Sequence, residues 1–239
     1  MIRRTLTSVV AAIGVAALLP LGASAKTPGP VSLPKSATAK ANAVAAGTCN
    51  LAVPNRVAIG RPYVGLTVKV TGNCTEPNSL SGWNLYHPSM GAVDGLLFDN
   101  VNSQVWDVYS NYPIGVMTWR PIGAFDGSDN TLTQNTPGTT VKLAAGAWIS
   151  SSRTADVVTL KGTSLLYSTS SNTFFKRSAG GVFQFRERGT TTWKTLKSVY
   201  TNSKGEVTMA YRYSKTRDYR FSLYSTSISW DLGSAVTTR

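Results

Sequence analysis

Serine-type nucleophilic catalysis needs a base beside the nucleophile, and this chain has one histidine, His87, in Tyr86-His87-Pro88. That setting is a strand end before a turn, and no G-x-S-x-G elbow occurs in the sequence. Paired carboxylates could hydrolyse a glycoside without histidine. The acids to weigh are Asp94, Asp99, Asp107, Asp126 and Asp129, followed by Glu187, Glu206, Asp218 and Asp231. Most stand beside Gly, Asn or Ser, as turn formers do. Asp126-Gly127-Ser128-Asp129-Asn130 carries hard oxygen ligands at the alternate spacing that suits calcium, yet lacks the distal glutamate of an EF-hand. An acidic turn is the simpler reading, and neither a metal nor a cofactor is expected. The expectation is a protein that is not an enzyme.

The two cysteines, Cys49 and Cys74, make a poor zinc site with one histidine in the chain, because such a site wants about four ligands. In an exported protein they are expected to pair with each other, with Cα atoms within about 7 Å. The tryptophans Trp83, Trp106, Trp119, Trp148, Trp193 and Trp230 could serve as stacking platforms for sugars, but burial as core is the expectation for most. Charge separates the two halves more clearly. Residues 49–155 hold six basic and six acidic residues, whereas residues 156–239 hold thirteen basic against five acidic, a net +8. Such an excess attracts polyanions through its summed field. Keeping an exported domain soluble would use the same charge.

The elements that would have to carry these residues follow from pattern. Arg3-Arg4, an apolar stretch from Val9 to Leu21 and Ala23-Ser24-Ala25 make a secretory signal, with cleavage expected after Ala25 and residues 1–25 removed. The apolar stretch is shorter than the roughly 20 residues of a membrane span, and none is expected in the mature chain. Residues 26–48, rich in Pro, Ala, Ser and Lys and without aromatics, read as a flexible linker. From Cys49 the chain turns to short apolar or alternating runs divided by Gly, Pro, Asn and Ser, the rhythm of strands and turns. Val64, Leu66, Val68 and Val70 alternate with Gly65, Thr67, Lys69 and Thr71 in the clearest example. A polar stretch around Ser151–Ala155 is expected to divide a β-sandwich with the disulfide, residues 49–153, from a basic one, residues 154–239. The second sandwich is expected to enclose Phe183, Phe185, Trp193, Leu196, Val207, Met209, Tyr219 and Phe221. The fold class is therefore all-β, two immunoglobulin-like β-sandwich domains in tandem after a signal peptide and a flexible tether.

The run GVFQFRERGTTTWKTLKSVYTNSKGEVTMAYR followed by TRDYRFSLYST resembles the immunoglobulin-like modules of secreted actinobacterial proteins, through Phe185, Arg186, Gly189, Trp193, Leu196, Gly205, Tyr219, Arg220 and Phe221. The resemblance covers about residues 156–239 and implies a fold rather than an activity. The expected function is a secreted, extracellular or wall-associated, non-enzymatic module binding anionic wall polymer through Arg186, Arg188, Lys194, Lys197, Arg212 and Arg220. A secreted enzyme or accessory protein with a carbohydrate site, and a structural spacer, are the alternatives. Aromatic-basic runs such as Phe174-Phe175-Lys176-Arg177 would suit single-stranded nucleic acid, but an exported protein seldom meets it. No protein partner follows from the sequence.

Overall fold

Alternation in the Val64–Thr71 stretch has its structural counterpart in burial: Val68 and Val70 are enclosed while Thr67, Lys69 and Thr71 face solvent, as a half-buried strand requires. The computed structural model describes residues 29–34 and 47–239. The expected signal peptide, and the linker residues 26–28 and 35–46, lie outside the described residues. The first half runs β1 (Thr48–Ala52), β2 (Arg56–Ile59), β3 (Tyr63–Gly72), β4 (Leu80–His87), β5 (Gly91–Asp99), β6 (Ser103–Tyr109), β7 (Gly115–Phe125), β8 (Thr133–Gln134) and β9 (Gly138–Leu143). One sheet has the order β6-β3-β1-β8 and the other β2-β9-β7-β4-β5. Between them Trp83, Trp106, Trp119, Phe98, Leu85 and Met117 are fully buried. Cys49 and Cys74 are disulfide-bonded at a Cα separation of 5.2 Å, joining β1 to the 3-10 turn Asn73–Thr75 after β3.

The second half runs β10 (Ala145–Thr154), β11 (Val157–Ser168), β12 (Thr173–Lys176), β13 (Gly180–Glu187), β14 (Lys194–Tyr200), β15 (Glu206–Arg212), β16 (Arg217–Leu223), β17 (Leu232–Gly233) and β18 (Thr237–Thr238). In one sheet β11 pairs with β10 along one edge and with β12 and β15 along the other. The facing sheet has the order β14-β13-β16-β17, with β18 also on β16. Their shared core contains Val158, Leu160, Phe183, Tyr219, Phe221 and Leu223, with Phe185, Leu196, Val207 and Met209 packed against it.

The boundary expected after Arg153 falls inside the β10–β11 hairpin, where Ala145–Thr154 pairs residue by residue with Val157–Leu166. Ala145, Ala147 and Ile149 pack into the second core, while Leu143 and Ala144 pack against the first. The change of core therefore lies near residue 144. Polarity at Ser150–Ser152 reflects a strand with one solvated face, and its turn uses Ala155 in the left-handed region at φ 51°.

Ile228 and Trp230 alternate about Ser229 and read as a short strand, but the segment instead docks on the first sandwich. The Ile228 carbonyl accepts the Leu143 N–H at 2.8 Å, and the Trp230 indole N–H donates to the Val57 carbonyl at 2.8 Å. The Trp230 ring meets the Arg56 guanidinium at 4.2 Å and the Lys142 ammonium at 4.4 Å, with Asp231 closing an ion pair to Arg56. Tyr167, on β11, is 1% exposed and belongs to the first core.

Candidate anion-binding face

Strands β13 and β16 run antiparallel, with Gln184 opposite Arg220 and Arg186 opposite Asp218. Phe183, Phe221 and Tyr219 turn inward, so alternation turns Gln184, Arg186 and Arg220 out of the sandwich. Trp193, just before β14, covers these residues. The Arg186 guanidinium lies 4.8 Å and that of Arg220 4.4 Å from its ring centre. This corrects the expectation of Trp193 as core: its ring packs on two cations outside the sandwich. Gln184 Oε1 accepts the Arg220 Nε–H at 2.7 Å, and Asp218 Oδ2 accepts the Arg186 Nε–H at 3.0 Å. Burial, together with the charge of Arg186, pushes the Arg220 guanidinium below its ordinary pKa. Two cations thus share one indole in a partly desolvated setting; Asp218 already balances Arg186, so an incoming anion would chiefly meet the charge of Arg220.

Of the other expected site residues, Arg188 is exposed beside this face, whereas Lys194 and Lys197, also exposed, stand opposite the inward-turned Phe185 and Phe183 in the β13–β14 ladder and so project from the other side of the sheet edge. Lys194 and Lys197 lie on β14, an edge strand, where lysines also discourage pairing with a second chain. Arg212 does not join them. It lies on β15 of the other sheet, opposite Val157, with Asp156 at 3.8 Å. Alternation directs it outward, but outward on the far side of the sandwich, since periodicity carries no information about which sheet a strand enters. Gln184 and Trp193 complete the face and were not expected in it. An arginine-rich strand alternating with apolar residues, followed closely by a tryptophan, is the signal that could have drawn them in.

Carboxylates elsewhere on the second sandwich neutralise part of its charge. Arg217 pairs with Glu187 at 2.5 Å and lies over the Tyr213 and Phe185 rings. Glu206 bonds Lys176 at 2.6 Å and Lys161 at 3.0 Å, tying β15 to β12 and β11. These two ammonium groups lower its pKa from 4.5 to about 2. A depressed carboxylate pKa adds stability that is fully present above about pH 4.5 and is lost as pH falls through about 2. Glu206→Gln is therefore expected to be less stable than the parent at neutral pH, with the difference shrinking over that acid window. Thermal midpoints measured from about pH 2 to 7 check this, and a difference independent of pH would contradict it.

In the first sandwich the acids are dispersed. Asp94 is buried, accepting hydrogen bonds from Trp106 Nε1 at 3.1 Å and the Tyr112 hydroxyl at 3.0 Å. Burial and the Asp94 charge push the Tyr112 hydroxyl pKa up. Asp107 accepts from the Tyr63 hydroxyl at 2.7 Å. In the calcium-like turn, Asp126 accepts from the backbone N–H of Ser128 and Asn130 and from the Asn130 side chain, a self-contained acidic turn. His87 Nε2 lies 3.2 Å from the Ile114 carbonyl and its Nδ1 3.1 Å from Ser89 Oγ, two residues on. The ring closes a local turn after β4.

Two antiparallel-rich sheets packed face to face, twice over, identify the architecture. The chain is all-β, of immunoglobulin-like β-sandwich type. No known protein family matches it, nor does any curated protein. Among solved structures it is similar to trypsin-activated α-2-macroglobulin from Escherichia coli, at 12% identity and a TM-score of 0.28 over 88% of this chain and 16% of that one. It is also similar to the D00-D0 domains of intimin, at 14% identity and a TM-score of 0.26 over 80% of this chain and 98% of that one. The purple acid phosphatase PPD1 from yellow lupin aligns at 10% identity and a TM-score of 0.24, over 81% of this chain and 40% of that one. Among the described residues no helix is long and apolar enough to cross a membrane.

Proposed function

We propose that the chain is a secreted, non-enzymatic module that associates with the cell envelope by holding anionic wall polymer on the outer face of β13 and β16. The observation that carries this reading is the pair Arg186 and Arg220 packed on Trp193, with Arg188 alongside and Lys194 and Lys197 at the sheet edge. Arginine guanidinium groups are weakly hydrated and planar, so they suit phosphate and carboxylate oxygens. The indole limits their side-chain freedom before the ligand arrives, which lowers the entropic cost of binding. The +8 excess of this half supplies the longer-range attraction. Arg212, on the opposite sheet, lends only its charge to that field.

Attraction of this kind acts within about 8 Å at physiological salt, so retention falls steeply as salt rises. The experiment is sedimentation of the protein with purified cell walls, before and after removal of their anionic polymers, across a salt series. Binding is expected to be lost on stripped walls and at high salt. The triple variant Arg188→Glu/Lys194→Glu/Lys197→Glu weakens it while leaving the thermal midpoint nearly unchanged, because exposed charges contribute little to folding. Equal retention on stripped walls at high salt would overturn the electrostatic account and favour the carbohydrate reading, in which exposed rings such as Trp148 make the contact.

A further inference from the structure

Residues 29–34, Gly-Pro-Val-Ser-Leu-Pro, lie in extended form against the outer face of the sheet formed by β4, β5 and β7, and their burial alternates. Gly29, Val31 and Leu33 are half-buried, while Pro30, Ser32 and Pro34 face solvent. The contact is specific. Asn84, on β4, accepts the Val31 N–H on Oδ1 at 2.8 Å and donates from Nδ2 to the Val31 carbonyl at 3.0 Å. One side-chain amide thereby makes the pair of hydrogen bonds that a neighbouring strand would make. Asp94, on β5, accepts the Gly29 N–H at 3.3 Å. Asn84 lies between the core residues Trp83 and Leu85 and so on the outer side of its strand, yet it is only 7% exposed, covered by this segment.

Glycines shape the room. Gly95 stands opposite Asn84 in the ladder, and a Cβ there would lie 2.7 Å from the Val31 nitrogen and 2.8 Å from its Cγ2. A Cβ at Gly123, whose φ is 136°, would lie 2.5 Å from Leu33 Cδ1. Glycine inside a strand weakens the sheet unless another backbone approaches closely, and here one does. On the segment itself the outward prolines have a fixed φ and no N–H to satisfy, so the extended form loses little freedom on docking.

We propose that this face is a binding groove for an extended peptide of the pattern Pro-Val-x-Leu-Pro, filled in this chain by its own residues 29–34 and able to take the same sequence from a separate molecule. Asn84 reads the peptide backbone. Gly95 and Gly123 admit the valine and leucine side chains, and Asp94 takes the N–H ahead of the first proline. The covalent link gives the cis segment an effective concentration in roughly the millimolar range, so a free peptide competes poorly until that segment is displaced.

The test uses the full chain carrying Val31→Asp/Leu33→Asp, which ejects the segment and leaves the groove intact, and the N-acetylated, C-amidated peptide Gly-Pro-Val-Ser-Leu-Pro, titrated by calorimetry. Saturable binding to this variant is expected, with none to the parent chain. Adding Asn84→Ala should weaken it about tenfold or more, from two lost hydrogen bonds, and adding Gly95→Val should abolish it. Absence of binding to the folded variant, or binding that survives Gly95→Val or occurs equally on the parent, overturns the proposal. Hydrogen exchange on the parent gives a second reading should the variant misfold. The Val31 amide is expected to be protected, with protection lost in Asn84→Ala, and an unprotected amide in the parent would also refute the groove.

Discussion

Trp106→Ala is expected to destabilise the first sandwich by about 3–5 kcal/mol, the range for deleting a large aromatic from a packed core. The ring is 1% exposed. It stands edge-on to Trp119 at 5.2 Å and to Tyr112 at 5.9 Å, and such pairs contribute roughly 0.5–1.5 kcal/mol each beyond their area. Its removal opens a cavity bounded by other aromatics, which cannot relax to fill it without leaving their rotamers. A second cost follows from polarity. Asp94 loses the indole N–H, and a buried carboxylate deprived of a donor is expensive to keep inside. Trp106→Phe separates the two contributions, since it retains most of the volume while deleting the donor. Urea denaturation followed by tryptophan fluorescence and far-ultraviolet dichroism measures the loss. Trp148→Ala is the contrast: with Trp148 64% exposed on β10, it should change stability by no more than about 0.5 kcal/mol. A loss below about 1 kcal/mol for Trp106→Ala would contradict the packing described.

Local pattern carried most of the strand layout. The alternation around Val68 and the inward set Phe183, Tyr219 and Phe221 follow from period-2 geometry, and the Asn202–Gly205 turn from the preference of Asn and Gly for turns, rules that need no knowledge of partners. What depends on tertiary pairing was not readable. Ser151–Thr154, the end of β10, looks like a polar divide because half of an edge strand faces water, and only the ten-residue ladder of β10 with β11 assigns it to the second sandwich. Val157–Leu160 and Leu165–Ser168 read as two strands, but Gly162 lets the chain run through as one, pressed against the Phe221 ring. β5 does not stand out as a strand because Gly91 and Gly95 dilute its apolar pattern, and Gly95 serves the docked segment rather than the strand. The same limit governs the candidate site. Arg186 and Arg220 could be placed outward from spacing alone, whereas their meeting over Trp193 needs β13 beside β16. Arg212 met the same outward criterion and lies on the opposite sheet. The docked residues 29–34 sit in a stretch whose composition suggests only a tether, because what holds them is Asn84, some fifty residues away.

Replacing both cysteines, as Cys49→Ala/Cys74→Ala, is expected to cost the first sandwich about 3.5 kcal/mol, the chain-entropy value for a closed loop of 25 residues. The location makes this cost hard to recover. β1 has five residues, pairs with β3 over four positions and with β8 over two, and so contributes few ladder bonds of its own. Beyond these, its Leu51 backbone relies on the Asn135 side chain, which accepts the Leu51 N–H at 2.8 Å and donates to its carbonyl at 3.0 Å. Without the covalent tie at Cys49 the strand end nearest the 3-10 turn frays first, and amide exchange in β1 should accelerate before that in β3 or β6. Both sulfurs are buried, Cys49 at 0% and Cys74 at 1% exposure, so reductant should act slowly on the folded chain and quickly once urea opens it. Denaturation midpoints of the double variant against the parent, with hydrogen exchange resolved by strand, supply the measurement. A loss below about 1 kcal/mol, or uniform acceleration across the first sandwich, would mean that the packing around Leu51 and Val70 holds β1 in place without the bond.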